Sequence, residues 1–380
     1  MSNEIRVLLC DDSSVMRRLL KASMQSEPRL NVVFEAENGL EAVSNVTKVK
    51  PDVIIMDVEM PVMDGVDAVR EIRKLSRTVP IIMFSSLTSR GAEASFDAIE
   101  AGASDFATKP IGAGHISKAM ASVRRDLIPK VMQWAQPHVQ PVLSKLEQVN
   151  PSSIQAAPSP APASIPAVGS QSDSVRPLVK SAGGIAAVGV GVSTGGPQAL
   201  MKLLGGLPKD FSTPILITQH MPPVFTGLLA GRLASQTGRP IREATDGESL
   251  SSGAVLIAPG DYHMTVARVQ STVVVKLDQN PPVNSCRPSV DPMFDSLADC
   301  FGNQTLGVIL TGMGQDGMNG AKRLRDCGAP VIAQDEQSSV VWGMPGQIVK
   351  AGLATKVLPI DQMANEVTRI VLAEKSASTI

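Results

Sequence analysis

The sequence predicts an α/β protein with two mostly parallel sheets, joined by a Pro/Ala-rich linker. Short apolar runs alternate with segments of helical periodicity in residues 1–126, and the same alternation begins again in residues 183–380. Residues 127–182 are rich in Pro, Ala and Ser, and large apolar side chains become sparse there. Strands that alternate with helices indicate parallel sheets covered by helices, whereas the middle composition is typical of an extended linker. Helical spacing persists over 127–148, which could continue the last N-terminal helix.

The composition indicates large buried cores and excludes a strong electrostatic field. The chain has 380 residues, 43% of them hydrophobic, and a formal net charge of −1. Such a charge does not recruit nucleic acid or a membrane surface, and no apolar run approaches the roughly 20 residues of a membrane span. Four scattered cysteines without metal or disulfide spacing favour reduced thiols. We therefore expect a cytoplasmic protein that neither binds nucleic acid nor inserts into a membrane.

The N-terminal domain, residues 1–126, is predicted to form a five-stranded parallel sheet. Its strands are Ile5–Cys10, Asn31–Glu35, Val53–Met56, Val79–Phe84 and Asp105–Ala107. In such sheets the functional site lies beyond the carboxyl ends of the strands.

Polar side chains follow four of these five strands. Asp11 and Asp12 end the first strand, Asp57 the third and Ser85 the fourth, and Lys109 follows the fifth. Three carboxylates at one edge repel each other, and oxygen ligands of this kind suit Mg²⁺. A metal and Lys109 would stabilise phosphoryl transfer to a carboxylate, and Ser85 could then bond the acyl phosphate. Each Asp alone could be an ordinary turn former, but their recurrence at successive strand ends favours the phosphoryl site.

The C-terminal domain, residues 183–380, is predicted to be a doubly wound, mostly parallel α/β domain with a β-hairpin. Predicted strands are Ile185–Val190, Pro214–Thr218, Ala254–Ala258 and Thr305–Leu310, with a hairpin of His263–Ala267 and Thr272–Leu277. Predicted helices are Pro197–Leu204, Val224–Ser235, Asp291–Phe301 and Met318–Cys327.

Three strands of this domain each lead to one residue with catalytic potential. Ser193 lies in the pattern Gly191-x-Ser193-x-Gly195 between a strand and a helix, which fits a nucleophile elbow. A serine needs an adjacent imidazole as base, and the imidazole needs a carboxylate. His220 and Asp316 follow the other two strands, so the three residues are predicted to form a catalytic triad, although Asp316 alone could be a turn or capping residue.

Other residues offer alternatives to this triad. His115 falls in the last N-terminal helix and His138 in the linker, which leaves His263, at the start of a strand, as the competing base. The order Ser–His–Asp differs from that of the α/β-hydrolases. A dinucleotide-binding loop is disfavoured because the glycine pattern ends in Thr194 and no acidic residue ends the next strand.

The N-terminal residues resemble the receiver domain of two-component response regulators, a flavodoxin-like fold. Asp11-Asp12, Asp57-Val58-Glu59-Met60-Pro61, Ser85 and Lys109-Pro110 all match its pattern over about residues 4–125. The resemblance implies that Asp57 accepts phosphate from a chemotaxis sensor histidine kinase. It also implies Mg²⁺ binding by Asp12, Asp57 and the Glu59 carbonyl with help from Asp11, and a switch role for Phe106.

Residues 183–375 resemble the catalytic domain of chemotaxis protein-glutamate methylesterases. The matching stretches are Gly191–Pro197, Thr218–Pro223, Ala258–Asp261, Arg287–Asp291 and Ile309–Gly317. The resemblance implies a phosphorylation-regulated serine esterase that removes methyl groups from γ-glutamyl methyl esters of methyl-accepting chemotaxis receptors, deamidates certain receptor glutamines and uses no cofactor for this chemistry. It implies that the His220 backbone N–H and Met313 bind the oxyanion, with Thr194 as a further oxyanion or substrate residue.

The sequence disfavours two other classes of protein. A regulator with a DNA-binding output is disfavoured because the second domain shows no helix-turn-helix pair and no basic stripe. A non-catalytic interaction module is disfavoured because all three triad residues are present. The expected regulation is docking of the unphosphorylated N-terminal domain over the Ser193 cleft, which phosphorylation of Asp57 would release.

Overall fold

The structure is a computed structural model that describes residues 4–110, 116–135 and 184–375. Most of the predicted linker therefore lies outside the described residues, as do His115 and His138. None of the described helices combines the length and the apolar character that crossing a bilayer requires.

The N-terminal sheet has five parallel strands, as predicted, in the order β2-β1-β3-β4-β5. The strands are β1 (Ile5–Cys10), β2 (Leu30–Ala36), β3 (Val53–Asp57), β4 (Ile81–Ser85) and β5 (Asp105–Thr108). The helices are α1 (Ser14–Met24), α2 (Gly39–Val49), α3 (Gly65–Leu75), α4 (Ser89–Glu100) and α5 (Ile116–Asp126).

Side-chain caps set where the first four of these helices begin. The side chains of Ser13, Asn38, Asp64 and Thr88 each accept a hydrogen bond from a backbone N–H of the first helical turn. Such a cap satisfies a donor that has no partner within the helix. Ser13 directly follows Asp11 and Asp12, and Asp64 ends the loop that begins after Asp57, so these caps also fix the loops that surround Asp57.

The segment that begins the predicted linker is helical and buried. Residues Ile128–Trp134 form α6, separated from α5 by Leu127, which is itself buried. Trp134 is 1% exposed, and its Nε1 donates to Asp105 Oδ2 at 3.2 Å, while Lys130 Nζ binds Asp105 Oδ1 at 2.8 Å. The chain thus stays on the N-terminal sheet beyond residue 126, because Val131 and Trp134 supply apolar surface that the Pro/Ala composition further along lacks.

The C-terminal sheet has seven strands, all parallel, in the order β14-β13-β12-β6-β7-β9-β8. They are β6 (Ala187–Val192), β7 (Ile215–Gln219), β8 (Ile241–Glu243), β9 (Val255–Ile257), β12 (Thr305–Ile309), β13 (Val331–Gln334) and β14 (Lys356–Leu358). The predicted hairpin is present as antiparallel β10 (His263–Val269) and β11 (Thr272–Asp278). The helices are α7 (Gly196–Gly206), α8 (Phe225–Thr237), α9 (Val290–Phe301), α10 (Met318–Asp326), α11 (Met344–Lys350) and α12 (Ile360–Lys375).

Glycines in β6 let α9 lie unusually close to the sheet. A Cβ atom at Gly189 would lie 2.8 Å from Phe294 Cε1, and one at Gly191 would lie 2.6 Å from Val290 Cγ1. Interiors are packed too densely to absorb such overlaps without a shift. The close approach brings the start of α9 next to the carboxyl ends of β6 and β12, where the candidate catalytic residues lie.

Replacing Trp134 tests whether α6 belongs to the N-terminal fold. We expect Trp134→Ala to lower the free energy of unfolding by about 3–5 kcal/mol, the usual cost of truncating a buried aromatic residue. Gln133→Ala, a neighbour in the same helix that is only partly buried, should change it little. Urea unfolding of the full chain measures both, and equal midpoints for the two variants would contradict the packing.

Candidate active site

Ser193 directly follows β6 in a sharp turn that leads into α7. Gly195 in this turn has φ of 78°, a left-handed conformation that glycine adopts without strain. Gly312 packs against the serine from β12's loop, since a Cβ atom there would lie 2.9 Å from Ser193 Cβ. The sequence pattern of glycines around the serine thus serves the tight turn and the close approach of the neighbouring loop.

His220 and Asp316 come from the two strands that flank β6. Val192 of β6 pairs with Gln219 of β7, so Ser193 and His220 follow partner residues on strands about 4.8 Å apart. Asp316 lies between β12 and α10, and its Oδ2 is 2.7 Å from His220 Nε2. The structure therefore brings the imidazole and carboxylate into direct contact beside Ser193.

Asp316 is buried at 2% exposure and accepts hydrogen bonds on both oxygens. Oδ2 accepts from His220 and, at 2.6 Å, from the Val290 N–H at the start of α9. Oδ1 accepts from Ser289 Oγ at 2.6 Å and from Asn284 Nδ2 at 2.9 Å. Among these, Ser289 and Asn284 were not predicted individually. Ser289 lies in the Arg287–Asp291 stretch that carries the family resemblance, whereas nothing in the sequence marked Asn284.

These bonds keep Asp316 ionised and make the neutral His220 imidazole a stronger base. Burial would raise the pKa of Asp316, but the bonds from His220, Ser289 and the Val290 N–H outweigh it and lower that pKa to about 2. Burial likewise disfavours the His220 imidazolium, but Asp316 and Cys286 outweigh it and raise the pKa of His220. A carboxylate that stays ionised can only accept, so the His220 Nε2 carries the hydrogen.

The Nδ1 atom of His220 faces a thiol in this structure. Cys286 Sγ lies 3.6 Å from Nδ1. The Ser193 hydroxyl makes no hydrogen bond with any of the described residues, although its backbone N–H donates to Thr311 O at 3.0 Å. Two members of the predicted triad, His220 and Asp316, are thus in contact. Ser193 lies next to the imidazole but makes no hydrogen bond with it.

His263, the competing base, has both ring nitrogens bound to backbone groups. Its Nδ1 accepts from the Ser289 N–H at 3.2 Å, so Nε2 donates to Pro281 O, also at 3.2 Å. The residue is 2% exposed. His263 therefore supports the segment that carries Ser289 and is not available as a base in this arrangement.

The backbone donors around Ser193 differ from those expected in one respect. The His220 N–H donates to Val192 O at 3.1 Å, continuing the pairing of β6 and β7, so it is not free for an oxyanion, contrary to the expectation. Within the described part of the chain, the N–H groups of Thr194 and Met313 have no acceptor. The Met313 side chain is 42% exposed. Both N–H groups are therefore available as donors.

The predicted phosphoryl site is assembled at the carboxyl edge of the N-terminal sheet. Lys109 Nζ lies 2.7 Å from Asp57 Oδ2 and 2.9 Å from Asp11 Oδ2. Asp11 Oδ2 has no hydrogen-bond partner of suitable geometry, so its contact with Lys109 is an ion pair. Burial and the neighbouring Asp11 charge raise the pKa of Asp57 to about 6, against the opposing effect of Lys109. Ser85 is buried and its Oγ bonds Ser95 Oγ at 2.8 Å.

The donor set fits a magnesium ion. Asp11, Asp12 and Asp57 each offer a carboxylate oxygen, and these atoms lie within 4.8 Å of one another. Three carboxylates facing one lysine leave net negative charge, and hard oxygen ligands are those that Mg²⁺ prefers. The Glu59 side chain lines an adjacent cavity of about 420 Å³ and pairs with Arg90 at 3.2 Å. The described side chains thus supply three of the expected oxygens.

The two sheets are linked through Phe106 on β5 and Phe225 on α8. Their rings stack with centroids 4.5 Å apart and an interplanar angle of 7°. On the same helix, Arg232 Nη1 binds Glu100 Oε1 at 2.6 Å, and its other terminal nitrogen binds Asp97. Because α8 begins five residues after His220, the N-terminal half contacts the segment that carries the imidazole.

Comparisons with known proteins find relatives of both halves of the chain. A family model described as a response regulator receiver domain matches residues 7–121, and one described as CheB methylesterase matches residues 188–367. The protein-glutamate methylesterase/protein-glutamine glutaminase of Trichodesmium erythraeum is 42% identical over 366 residues, covering 96% of this chain and 99% of that protein. The protein of the same name from a Nocardioides species is 42% identical over 365 residues, covering 96% and 95%.

Among solved structures, the CheB methylesterase catalytic domain of Thermotoga maritima is 41% identical, with 49% of this chain and 98% of that chain covered and a TM-score of 0.48. The relatives match over nearly their full length and the two family models fall on the two sheets. The chain therefore belongs to the protein-glutamate methylesterase/protein-glutamine glutaminase family, with a response-regulator receiver domain ahead of a CheB methylesterase domain.

Proposed function

We propose that Ser193, His220 and Asp316 are the catalytic triad of a phosphorylation-regulated esterase. Its substrates are γ-glutamyl methyl esters of methyl-accepting chemotaxis receptors, and it also deamidates specific receptor glutamines. The observation that carries the proposal is the 2.7 Å contact between Asp316 and an imidazole whose strand lies next to that of Ser193. His263, the other histidine among the described residues, contacts no carboxylate and binds only backbone groups.

The first step is attack of the Ser193 hydroxyl on the side-chain carbonyl. Nδ1 of His220 takes the hydroxyl proton, because Nε2 already holds the hydrogen that is donated to Asp316. Asp316 stabilises the imidazolium that forms. His220 then protonates the departing methoxide, which leaves as methanol, and an acyl-enzyme on Ser193 remains. Water attacks this ester by the same route and releases glutamate; with a glutamine substrate, ammonia leaves instead.

The negative oxygen of the tetrahedral intermediate requires fixed donors. We assign this role to the backbone N–H groups of Thr194 and Met313, which have no other acceptor among the described residues. Donors of this kind, already oriented before the reaction, are worth about 3–4 kcal/mol each in the transition state. The His220 N–H is left out of this assignment because Val192 O occupies it.

In the receiver half, Asp57 is proposed to accept the phosphoryl group from a chemotaxis sensor histidine kinase. Asp11, Asp12 and Asp57, with the Glu59 carbonyl, would hold Mg²⁺, which when bound neutralises the charge of the phosphoryl oxygens. Lys109 already contacts the Asp57 carboxylate at 2.7 Å and would stay beside the acyl phosphate. The Ser85 hydroxyl would exchange its Ser95 partner for a phosphoryl oxygen.

Regulation is proposed to act through the contact between α4, β5 and α8. The stacked rings of Phe106 and Phe225 and the ion pairs of Arg232 join the receiver to the helix that follows His220. Ser95, which holds Ser85, lies on the same α4 that carries Asp97 and Glu100. A movement of Ser85 toward phosphorylated Asp57 would therefore disturb this interface and open the Ser193 cleft to receptor helices.

The division of the chain and its location follow from the same proposal. We place the receiver at 1–126 with α6 packed on it, a linker beyond residue 135, and the catalytic domain at 183–380. A histidine kinase and the cytoplasmic helices of chemotaxis receptors as partners imply a cytoplasmic protein that is neither inserted into the membrane nor bound to nucleic acid.

Substitutions in the triad test the esterase directly. Ser193→Ala should abolish methanol release from methylated receptors above background. Asp316→Asn, which keeps the shape but lets the imidazole take the wrong tautomer, should lower kcat by about 10⁴-fold. Asp210→Asn, at an exposed position ahead of β7, is the control. Wild-type rates in Ser193→Ala would refute the assigned nucleophile.

Substitution of the phosphoryl acceptor separates regulation from catalysis. Asp57→Asn should retain basal methanol release and lose its stimulation by a small-molecule phosphodonor with Mg²⁺, because no acyl phosphate can form. Asp52→Asn, before β3, provides a matched control that should still respond. Stimulation of the Asp57→Asn variant equal to wild type would place the acceptor elsewhere.

The contact between the receiver and α8 can be weakened without changing a residue of the triad or of the phosphoryl site. Arg232→Ala removes two ion pairs, and exposed pairs are worth about 0.2–1 kcal/mol each, so basal methanol release should rise roughly two- to thirtyfold. Arg242→Ala, which removes a surface pair with Glu248 away from the receiver, should leave it unchanged. A basal rate that stays constant in Arg232→Ala would argue against inhibition by docking.

A further inference from the structure

A cysteine lies against the proposed catalytic base, on the ring nitrogen that does not face Asp316. Cys286 Sγ is 3.6 Å from His220 Nδ1, and the cysteine is partly exposed. Since Nε2 carries the hydrogen of the neutral imidazole, Nδ1 is an acceptor and the thiol is the donor in this contact. The thiol thus occupies the lone pair that has to receive the proton of Ser193.

The backbone around Cys286 fixes the thiol in this position. Val283 and Cys286 exchange two backbone hydrogen bonds, of 2.9 and 3.1 Å, across a two-residue turn. The two central residues, Asn284 and Ser285, have φ of 50° and 63°, which defines a tight turn of the type that favours Asn at its first position. Asn284 Nδ2 is bound to Asp316 Oδ1 and to Asp291 Oδ2, at 2.9 and 2.8 Å.

On the other side of Cys286, the next residue anchors the chain as well. Arg287 binds Asp261 through two of its nitrogens, at 3.0 and 2.6 Å, and the carbonyls of Gln279 and Asn280 through the third. The thiol is therefore held between two anchored side chains, one of which is bonded to the triad carboxylate itself. It shares its rigid support with His220.

No other cysteine of the described chain has such a neighbour. The Cys10 thiol is buried and faces Asn38 O, and that of Cys300 faces Val266 O at 3.6 Å. Cys300 and Cys327 are as partly exposed as Cys286. They are matched controls for reactivity, because they differ from Cys286 in lacking an imidazole partner.

We propose that Cys286 is a positioning residue of the catalytic base, which occupies His220 Nδ1 in the resting enzyme and makes the esterase sensitive to thiol-directed electrophiles. The inference rests on the proposed role of His220 as base. A thiol is far more acidic than an aliphatic hydroxyl, so the imidazole draws the thiol proton more readily than that of Ser193. Ester hydrolysis proceeds when the thiol moves away from His220 Nδ1 and the Ser193 hydroxyl takes its place.

The same contact predicts the chemistry of modification. When Cys286 transfers its proton to His220 Nδ1, the sulfur becomes a thiolate, which is the nucleophilic form of cysteine. With iodoacetamide, the sulfur forms a bond to the methylene carbon, iodide leaves, and the proton stays on the imidazole until it passes to water. The carboxamidomethyl group then fills the space between His220 and Ser193, and ester hydrolysis stops.

The test uses the full-length protein and iodoacetamide as the probe. Mass spectrometry should find Cys286 alkylated at least tenfold faster than Cys300 and Cys327, with methanol release lost in parallel. His220→Ala should slow labelling of Cys286 and not that of the other two cysteines. Cys286→Ala should resist inactivation, whereas Cys300→Ala should remain sensitive.

Kinetics of the same variants test the positioning role. In Cys286→Ala the His220 imidazole loses a weak hydrogen bond that competes with Ser193. We therefore expect kcat to rise roughly fivefold at unchanged KM. Cys286→Ser, which keeps a donor toward Nδ1, should gain less and should also resist alkylation. Should the Ala variant fail to fold, the Ser variant and the wild-type labelling order carry the test.

Three results would overturn the inference: alkylation of Cys300 or Cys327 before Cys286, inactivation that persists without Cys286, or kcat in folded Cys286→Ala no higher than in the wild type. Failure of the proposed function has a different signature. A wild-type enzyme without methanol release would refute the esterase, while the dependence of Cys286 labelling on His220 would still report the thiol–imidazole contact.

Discussion

The catalytic half depends on one buried carboxylate, Asp316, and on the groups that keep it charged. An isolated ion taken out of water is costly, but one that accepts several well-directed hydrogen bonds is not. The start of α9 supplies two of these bonds, from Ser289 and the Val290 N–H, and it can do so because Gly189 and Gly191 let the helix approach β6. Sheet packing therefore sets the orientation of the imidazole.

Much of this arrangement could be predicted from the sequence, since it follows from strand ends. Parallel strands deliver their next residues to one edge, so Ser193, His220 and Asp316, like Asp11, Asp57 and Lys109, could be placed before any coordinates. Strand order could not be read in this way. The edge strands β8 and β14 are short and carry charged residues, so no apolar run marks them, and no strand or helix is predicted at β8 or after residue 327.

Contacts made across long sequence separations also remained hidden. Asn284 meets Asp316, and Cys286 meets His220, through a turn whose positive φ angles are not marked by glycine. Family resemblance assigned the His220 N–H to the oxyanion, whereas strand pairing with Val192 consumes that donor. The burial of the segment that begins the predicted linker was equally hidden, because Trp134 and Lys130 find a partner, Asp105, that only the folded sheet brings near.

In each half of the chain a buried carboxylate lies at the carboxyl edge of a parallel sheet, but the electrostatic surroundings of the two carboxylates differ. Asp316 is surrounded by donors, which lower its pKa to about 2, so it remains a fixed negative charge that never forms a bond. Asp57 is buried beside a second carboxylate, which with desolvation raises its pKa to about 6, and only Lys109 and one backbone N–H oppose this. A buried carboxylate with few hydrogen-bond donors is stabilised when it shares its negative charge with a cation and a phosphoryl group. The density of hydrogen-bond donors, more than the fold, thus separates the proposed phosphoryl acceptor from the carboxylate that is proposed to orient the imidazole.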